Sequence, residues 1–296
     1  MTLRRTINGL KSLHLFYKVD RIVYCEGGES LTIDDVVGGG GTVSTLDILF
    51  WSSMLLRDEQ KLKVHFKSVG SKETIKSILD DVVRGNIHTI RVCRDRDHDN
   101  VLQAIGKSNY LLHTYRYSWE NDVISLESLL EVVSTFVPKG ELFDKLRFKL
   151  ESFYYQLLST ILTWTEMDIA LYVRRGTPLF ERQKPISCVD CNSYPPELRN
   201  TALRQRLNGF GYSRGPRPVV RLSQKTVAEN VFGKLLSKVM YHATAMLLKE
   251  ILPNCKFSYE VFMRMIVDRA RIIINSGRDS VLHTHYTAGS VALYAD

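Results

Sequence analysis

Residues 88–97 read HTIRVCRDRD, and residues 21–27 read RIVYCEG. In the first stretch an apolar run, Ile90 to Cys93, gives way at its carboxyl end to Arg94, Asp95, Arg96 and Asp97. In the second, Ile22 to Cys25 ends in Glu26 and Gly27. Short apolar runs bounded by charge or glycine predict buried strands. KVHFKSVG (63–70) reads as a further strand, and NYLLHTYRYS (109–118) as the last of four. Between them lies helical patterning. Ser71 is a good N-cap, with Glu73 and Thr74 in the first turn of a helix running to about Val83. An apolar periodic run begins near Val43. Strands alternating with helices predict an α/β domain with a mostly parallel sheet, covered on both faces.

Outward from this core the pattern changes near residue 130. Residues 141–173 read as one or two amphipathic helices, and 225–251 and 257–276 are again helical. The division expected is an α/β domain over residues 1–130 and a helical, basic domain over 131–296. The two halves differ in charge. Residues 1–125 hold 17 Lys/Arg against 16 Asp/Glu, and residues 126–296 hold 23 against 16, within a net charge of +8 for 296 residues. Basic excess in one half points to an anionic partner, with nucleic acid first and an acidic protein second. It is densest over residues 174–225, with eleven Lys/Arg and three Asp/Glu, and with Phe180, Tyr194, Phe210 and Tyr212 interspersed. Arginines beside aromatics suit phosphate contact and base stacking, so Arg204, Arg206, Arg214 and Arg217 are the nucleic-acid-binding candidates.

No stretch reaches the ~18 apolar residues of a membrane span. The N-terminus lacks the continuous apolar region of a secretory signal. Five scattered cysteines predict a reducing, cytoplasmic setting. Gly38 to Gly41 lack the lysine and Ser/Thr of a P-loop, so no ATPase is read here.

The acidic residues carry the chemistry. Ligands of a parallel sheet bind beyond the carboxyl ends of its strands. Glu26 closes the first strand and Asp95 and Asp97 the third, while Glu120, in YSWEND at the end of the fourth strand, could complete the site. Residues i and i+2 of a strand share a face, so a D-x-D pair aims both carboxylates one way. Converging carboxylates repel unless a cation neutralises them. Hard oxygen ligands select Mg²⁺ or Mn²⁺, which hold phosphate oxygens and activate or orient water. Glu29 and Asp99 are weaker candidates for a second metal. The competing reading is ordinary: acidic strand ends also solvate loops and cap helices. Lys72, at a helix start beside free backbone N–H groups, is a candidate for holding the scissile phosphate. His98 is either a proton shuttle or a plain loop histidine. Cys188 and Cys191 form a lone C-x-x-C, which His283 and His285 would have to complete as a zinc site.

The order of these motifs resembles the TOPRIM domain over about residues 18–125: VYCEGGES, then HFKSVGSK, then VCRDRDHDN and WEND. Within TOPRIM proteins the resemblance is to the DUF4435 group, which includes effector nucleases of the PARIS anti-phage defence systems. It implies Glu26, Asp95 and Asp97 as metal ligands and catalytic residues, and Glu120 less firmly. It also implies a cytoplasmic toxin that cleaves RNA, in particular tRNA. The partner implied is the ABC-type ATPase AriA, which restrains the nuclease until a phage trigger releases it. Apart from the resemblance, a homodimer is expected if two active sites must meet one substrate. The rival expectations are a DNA endonuclease or nickase, and a non-catalytic subunit whose TOPRIM shape only docks the ATPase.

Overall fold

The computed structural model describes residues 7–28, 32, 35–36, 40–42, 44–57, 61–102, 108–193 and 195–295. Glu29, Gly38, Gly39 and Tyr194 lie outside the described residues. Four strands, β1 (Arg21–Cys25), β2 (Val64–Ser68), β3 (Ile90–Arg94) and β4 (Leu111–His113), form one parallel sheet in the order β2-β1-β3-β4. All five residues of β1 are buried, as a central strand covered on both faces requires. The strand expected over 109–118 shrinks to three residues. Its neighbour β3 ends at Arg94, whose carbonyl accepts from Thr114 N–H at 3.1 Å, so the chain beyond has no ladder to join.

On one face lie α1 (Ile7–Tyr17) and α3 (Lys72–Gly85), with α2 (Leu46–Leu55) falling between them in sequence. Ser71 caps α3 as expected, its hydroxyl accepting from Thr74 N–H at 3.3 Å, and Asn86 ends it in the left-handed conformation. Ile75, Ile78 and Val82 recur at helical spacing and pack with Leu10, Leu13, Ile22, Tyr24, Ile90 and Val92 in one core cluster.

The last helix of the chain also belongs to this sheet. The chain divides into two compact units: residues 1–96, 105–115 and 271–296, and residues 97–104 and 116–270. In the first unit Tyr286, near the chain's end, meets Phe50 and Trp51 of α2 with ring centroids 5.7 and 6.3 Å apart. Ser290 donates to the Leu55 carbonyl at 2.8 Å. Arg21 and Arg91 are both buried, on the face of β1 and β3 opposite Ile22 and Tyr24. Arg91 donates to the carbonyls of Ala292 (3.1 Å) and Ala295 (2.7 Å), and Arg21 to Ala295 (2.9 Å) and His88. Two guanidinium groups thus satisfy carbonyls that the end of a helix leaves open.

The second unit is helical. It contains α4 (Trp119–Val123), α5 (Leu126–Phe136), α6 (Glu141–Arg175), α7 (Asn200–Gly209), α8 (Gln224–Asn230), α9 (Gly233–Lys249) and most of α10 (Tyr259–Asn275). The final helix, α11 (Ser280–Tyr294), is the one packed on the sheet. The stretch read as one or two helices is a single helix of 35 residues, α6, stopped by Gly176 at φ 66°. It buries Leu146, Leu150, Phe153, Leu157 and Ile161, α9 buries Leu235, Leu236, Val239 and Met240, and the two helices pack against each other. The basic connector 174–225 carries local structure of its own: α7 and a short antiparallel pair, β5 (Val189–Asp190) with β6 (Glu197–Leu198). Among the described residues no helix is long and apolar enough to cross a membrane.

Candidate functional site

In the sheet unit, β1 and β3 are paired so that Cys25 lies opposite Cys93. Glu26 is one residue beyond that pair and Asp95 two, so both leave the sheet at its carboxyl end. The Glu26 N–H still donates to the Cys93 carbonyl at 2.9 Å, which extends the ladder to the acidic residue itself. Both side chains are half-buried. Gly27 follows at φ 126°, a conformation that L side chains rarely adopt. It also exchanges N–H···O bonds with Gly70, at 2.9 and 2.6 Å, which ties the end of β1 to the start of the turn into α3. Lys72 is the first residue of α3 and so stands at the same end of the sheet.

A further carboxylate belongs here that the sequence reading passed over. A Cβ added at Gly27 would stand 2.3 Å from Cγ of Asp47, so the Asp47 carboxylate lies against this glycine. Asp47 occupies the first turn of α2, after the N-cap Thr45. Burial first, and then Cys93 and the Asp47 charge, hold the Cys25 thiol well above its ordinary range and neutral. Arg94 and Arg96 lie near enough to β4 for their charges to act on His113. Arg96 lies over the Tyr115 ring at 5.8 Å, and burial, with help from His285 and both arginines, pushes His113 down towards its neutral form.

In the helical unit Asp97 adopts φ 51°, and its N–H donates to the Tyr117 carbonyl at 2.7 Å. The expectation that Glu120 ends the fourth strand is corrected: it lies in α4 and is buried, with its Oε2 accepting from the Ser118 hydroxyl at 2.6 Å. A Cβ at Gly233, the first residue of α9, would come within 3.0 Å of that carboxylate. Glu120 therefore serves the start of a helix, where negative charge is favoured. His98, expected as a shuttle or a loop histidine, is buried beside Asp168, with Nε2 to Oδ2 at 3.8 Å. Asp99 is buried as well.

The four arginines read as nucleic-acid contacts separate in the structure. Arg214 and Arg217 line a recess of about 560 Å³ with Arg221, Glu166 and Met167. Buried Glu166 pins this loop, accepting from Leu222 N–H at 2.8 Å and from Arg221 at 3.2 Å. Arg206 is instead engaged by Glu181 at 3.3 Å, and Arg204 is exposed on α7. Arg175, also unremarked in the sequence, lies over the Tyr212 ring at 5.0 Å.

The zinc reading gains nothing. Burial pushes the Cys188 thiol up to about 11 and raises Cys191. His283 and His285 meet the carbonyls of Ile274 and His113. Among the described residues no three His, Cys, Asp or Glu side chains are grouped to hold a metal ion. That finding applies equally to the carboxylates. It excludes a preformed cage among the described residues, whereas Mg²⁺ commonly takes one or two carboxylates and completes its shell with water and phosphate oxygens. The donor chemistry at the sheet end, two carboxylates on aligned strand ends, fits that mode. Protein-family models and curated proteins give no match to this chain.

Proposed function

We propose that this chain is a divalent-metal-dependent nuclease that cleaves RNA, acting as a defence toxin restrained by an ABC-type ATPase. The observation that carries the reading is the joint ending of adjacent parallel strands in Glu26 and Asp95, with the Gly27 turn against Asp47. Asp97 is assigned with them on the sequence alone, as the second carboxylate of the D-x-D pair. A bound Mg²⁺ or Mn²⁺ would supply charge for the phosphodiester and a water of lowered pKa. The chain's own residues would do the rest. Glu26, Asp95 and Asp97 hold the cation, and Lys72, near the N–H groups that open α3, steadies the phosphate. The recess of Arg214, Arg217 and Arg221 grips the RNA backbone. The choice of tRNA and the ATPase partner come from the family resemblance, and a homodimer on release follows only if two active sites must meet one substrate.

The test is sequencing of RNA and DNA ends after brief expression of the parent chain and of Glu26→Gln. New ends confined to tRNA, absent in the variant, support the reading; breaks in genomic DNA alone turn it to a DNA endonuclease or nickase. A second reading, the non-catalytic docking subunit, is favoured by the lack of three grouped ligand side chains among the described residues. It prevails if neither nucleic acid is cut and defence survives replacement of all three carboxylates.

A further inference from the structure

We propose that Arg182, held in place by Asp168, is a positioning residue for Asp97: together they fix the loop that carries the second carboxylate of the D-x-D pair. The proposal rests on the nuclease reading for the purpose of Asp97, and on the geometry of the helical unit alone for the contact.

Asp168 sits towards the carboxyl end of α6 and is almost wholly buried. Its carboxylate accepts from Phe180 N–H at 2.8 Å and from Arg182 Nη2 at 2.9 Å, and His98 stands 3.8 Å away. A buried carboxylate survives only when its charge is matched and its lone pairs are used, and this one meets both conditions. The guanidinium it holds does not end there. Arg182 lies 4.2 Å over the Phe232 ring and 5.7 Å over the Tyr117 ring. Tyr117 is also the residue whose carbonyl takes the Asp97 N–H, and its ring packs at a tilt against His98, with centroids 4.7 Å apart. Residues 97 and 98 are thus gripped twice, through Tyr117 and through the cluster around Asp168. Asp97 also acts electrostatically on Arg182, its charge being among those that keep the guanidinium protonated.

One feature separates this from a plain structural tie. Asp97 is one of three non-glycine residues at positive φ among those described, and such a conformation persists only where its surroundings impose it. A strained ligand loop under a buried Asp–Arg pair matches the way outer partners orient metal-binding carboxylates.

The test uses the full chain with Arg182→Lys, which keeps the charge but loses the guanidinium over the two rings, and Asp168→Asn, which keeps the shape. Phe232→Leu serves as a third variant should either fail to fold. Hydrogen exchange of the segment spanning Asp97 is read beside a thermal melt and, with Mn²⁺ present, the kcat and KM of RNA cleavage. In folded variants we expect that segment to exchange about tenfold faster, while α6 and α9 are unchanged. We also expect kcat to fall by about 10- to 100-fold at nearly constant KM. Unchanged exchange around Asp97 in every folded variant overturns the proposal, whatever the activity. Faster exchange in a protein whose parent cuts no RNA upholds the positioning and rejects the nuclease reading.

Discussion

At Glu26 the backbone is still part of the sheet while the side chain already belongs to the loop beyond it. Glu26→Gln keeps the shape and removes one of several neighbouring negative charges. Cleavage should fall by more than about 100-fold, beyond the usual cost of losing an outer-shell partner. The melting temperature should hold, or rise without metal, because carboxylate repulsion is relieved. Gly27→Ala makes the opposite point. Its φ of 126° is strained for alanine, and the new methyl would collide with Asp47. A loss of about 1–3 kcal/mol is expected in chemical denaturation, and Asp47→Gly should relieve the collision but not the strain. Glu26 and Asp95 were legible in the sequence because each directly follows an apolar strand. Asp47 was not, since an aspartate in a helix's first turn looks like an ordinary dipole partner. Glu120 misled for a similar reason: the polar run before it was read as strand, although β3 had ended and left that run no neighbour to pair with.

Elements with a strong local period were read nearly to their ends. The central strands and α3 came from apolar runs and a serine cap, both of which are local signals. Nothing local marks α11 as a layer on the sheet, because its docking depends on Arg21 and Arg91, nearly the whole chain away. Replacing Arg91 with alanine should leave buried carbonyls without donors and cost about 1–3 kcal/mol or more, read as a drop in the denaturation midpoint of the full chain. The Asp168–Arg182 pair was illegible likewise, since its members belong to different segments. Burial alone would raise the Asp168 pKa, but the Arg182 charge, His98 and the Phe180 N–H together hold it below the ordinary aspartate range. A depressed folded pKa means stability that is fully present above the unfolded value, roughly 3.9, and lost as pH falls through the folded one. Asp168→Ala should therefore cost about 3–5 kcal/mol near neutral pH, and the gap to the parent should close in melts taken at progressively more acid pH.

Across the whole chain, charge separates from chemistry. Residues 1–125 are nearly neutral and hold Glu26, Asp95 and Asp97, while residues 126–296 carry 23 Lys/Arg against 16 Asp/Glu. An acidic site repels a polyanion until a cation fills it, so RNA affinity should arise mainly from the second half through counterion release, and should fall steeply with salt. The structure divides the arginines further than the sequence did. Arg214 and Arg217 line an open recess, whereas Arg206 is already engaged by Glu181. Changing Arg214 and Arg217 to Gln should weaken binding and reduce the salt slope by about two units, since each arginine would leave one phosphate unneutralised. Changing Arg204 and Arg206 should reduce it by less, because one of that pair has its fork occupied. Asp97→Asn should do the reverse of both, abolishing cleavage while leaving affinity intact or slightly tighter. Titrations of a labelled RNA at several salt concentrations, run beside a cleavage assay, distinguish these outcomes. If the Arg214/Arg217 variant binds and cuts like the parent, the recess is not the RNA surface. The basic excess of the second half would then serve an acidic protein partner, and the substrate path would run past Lys72, Arg94 and Arg96.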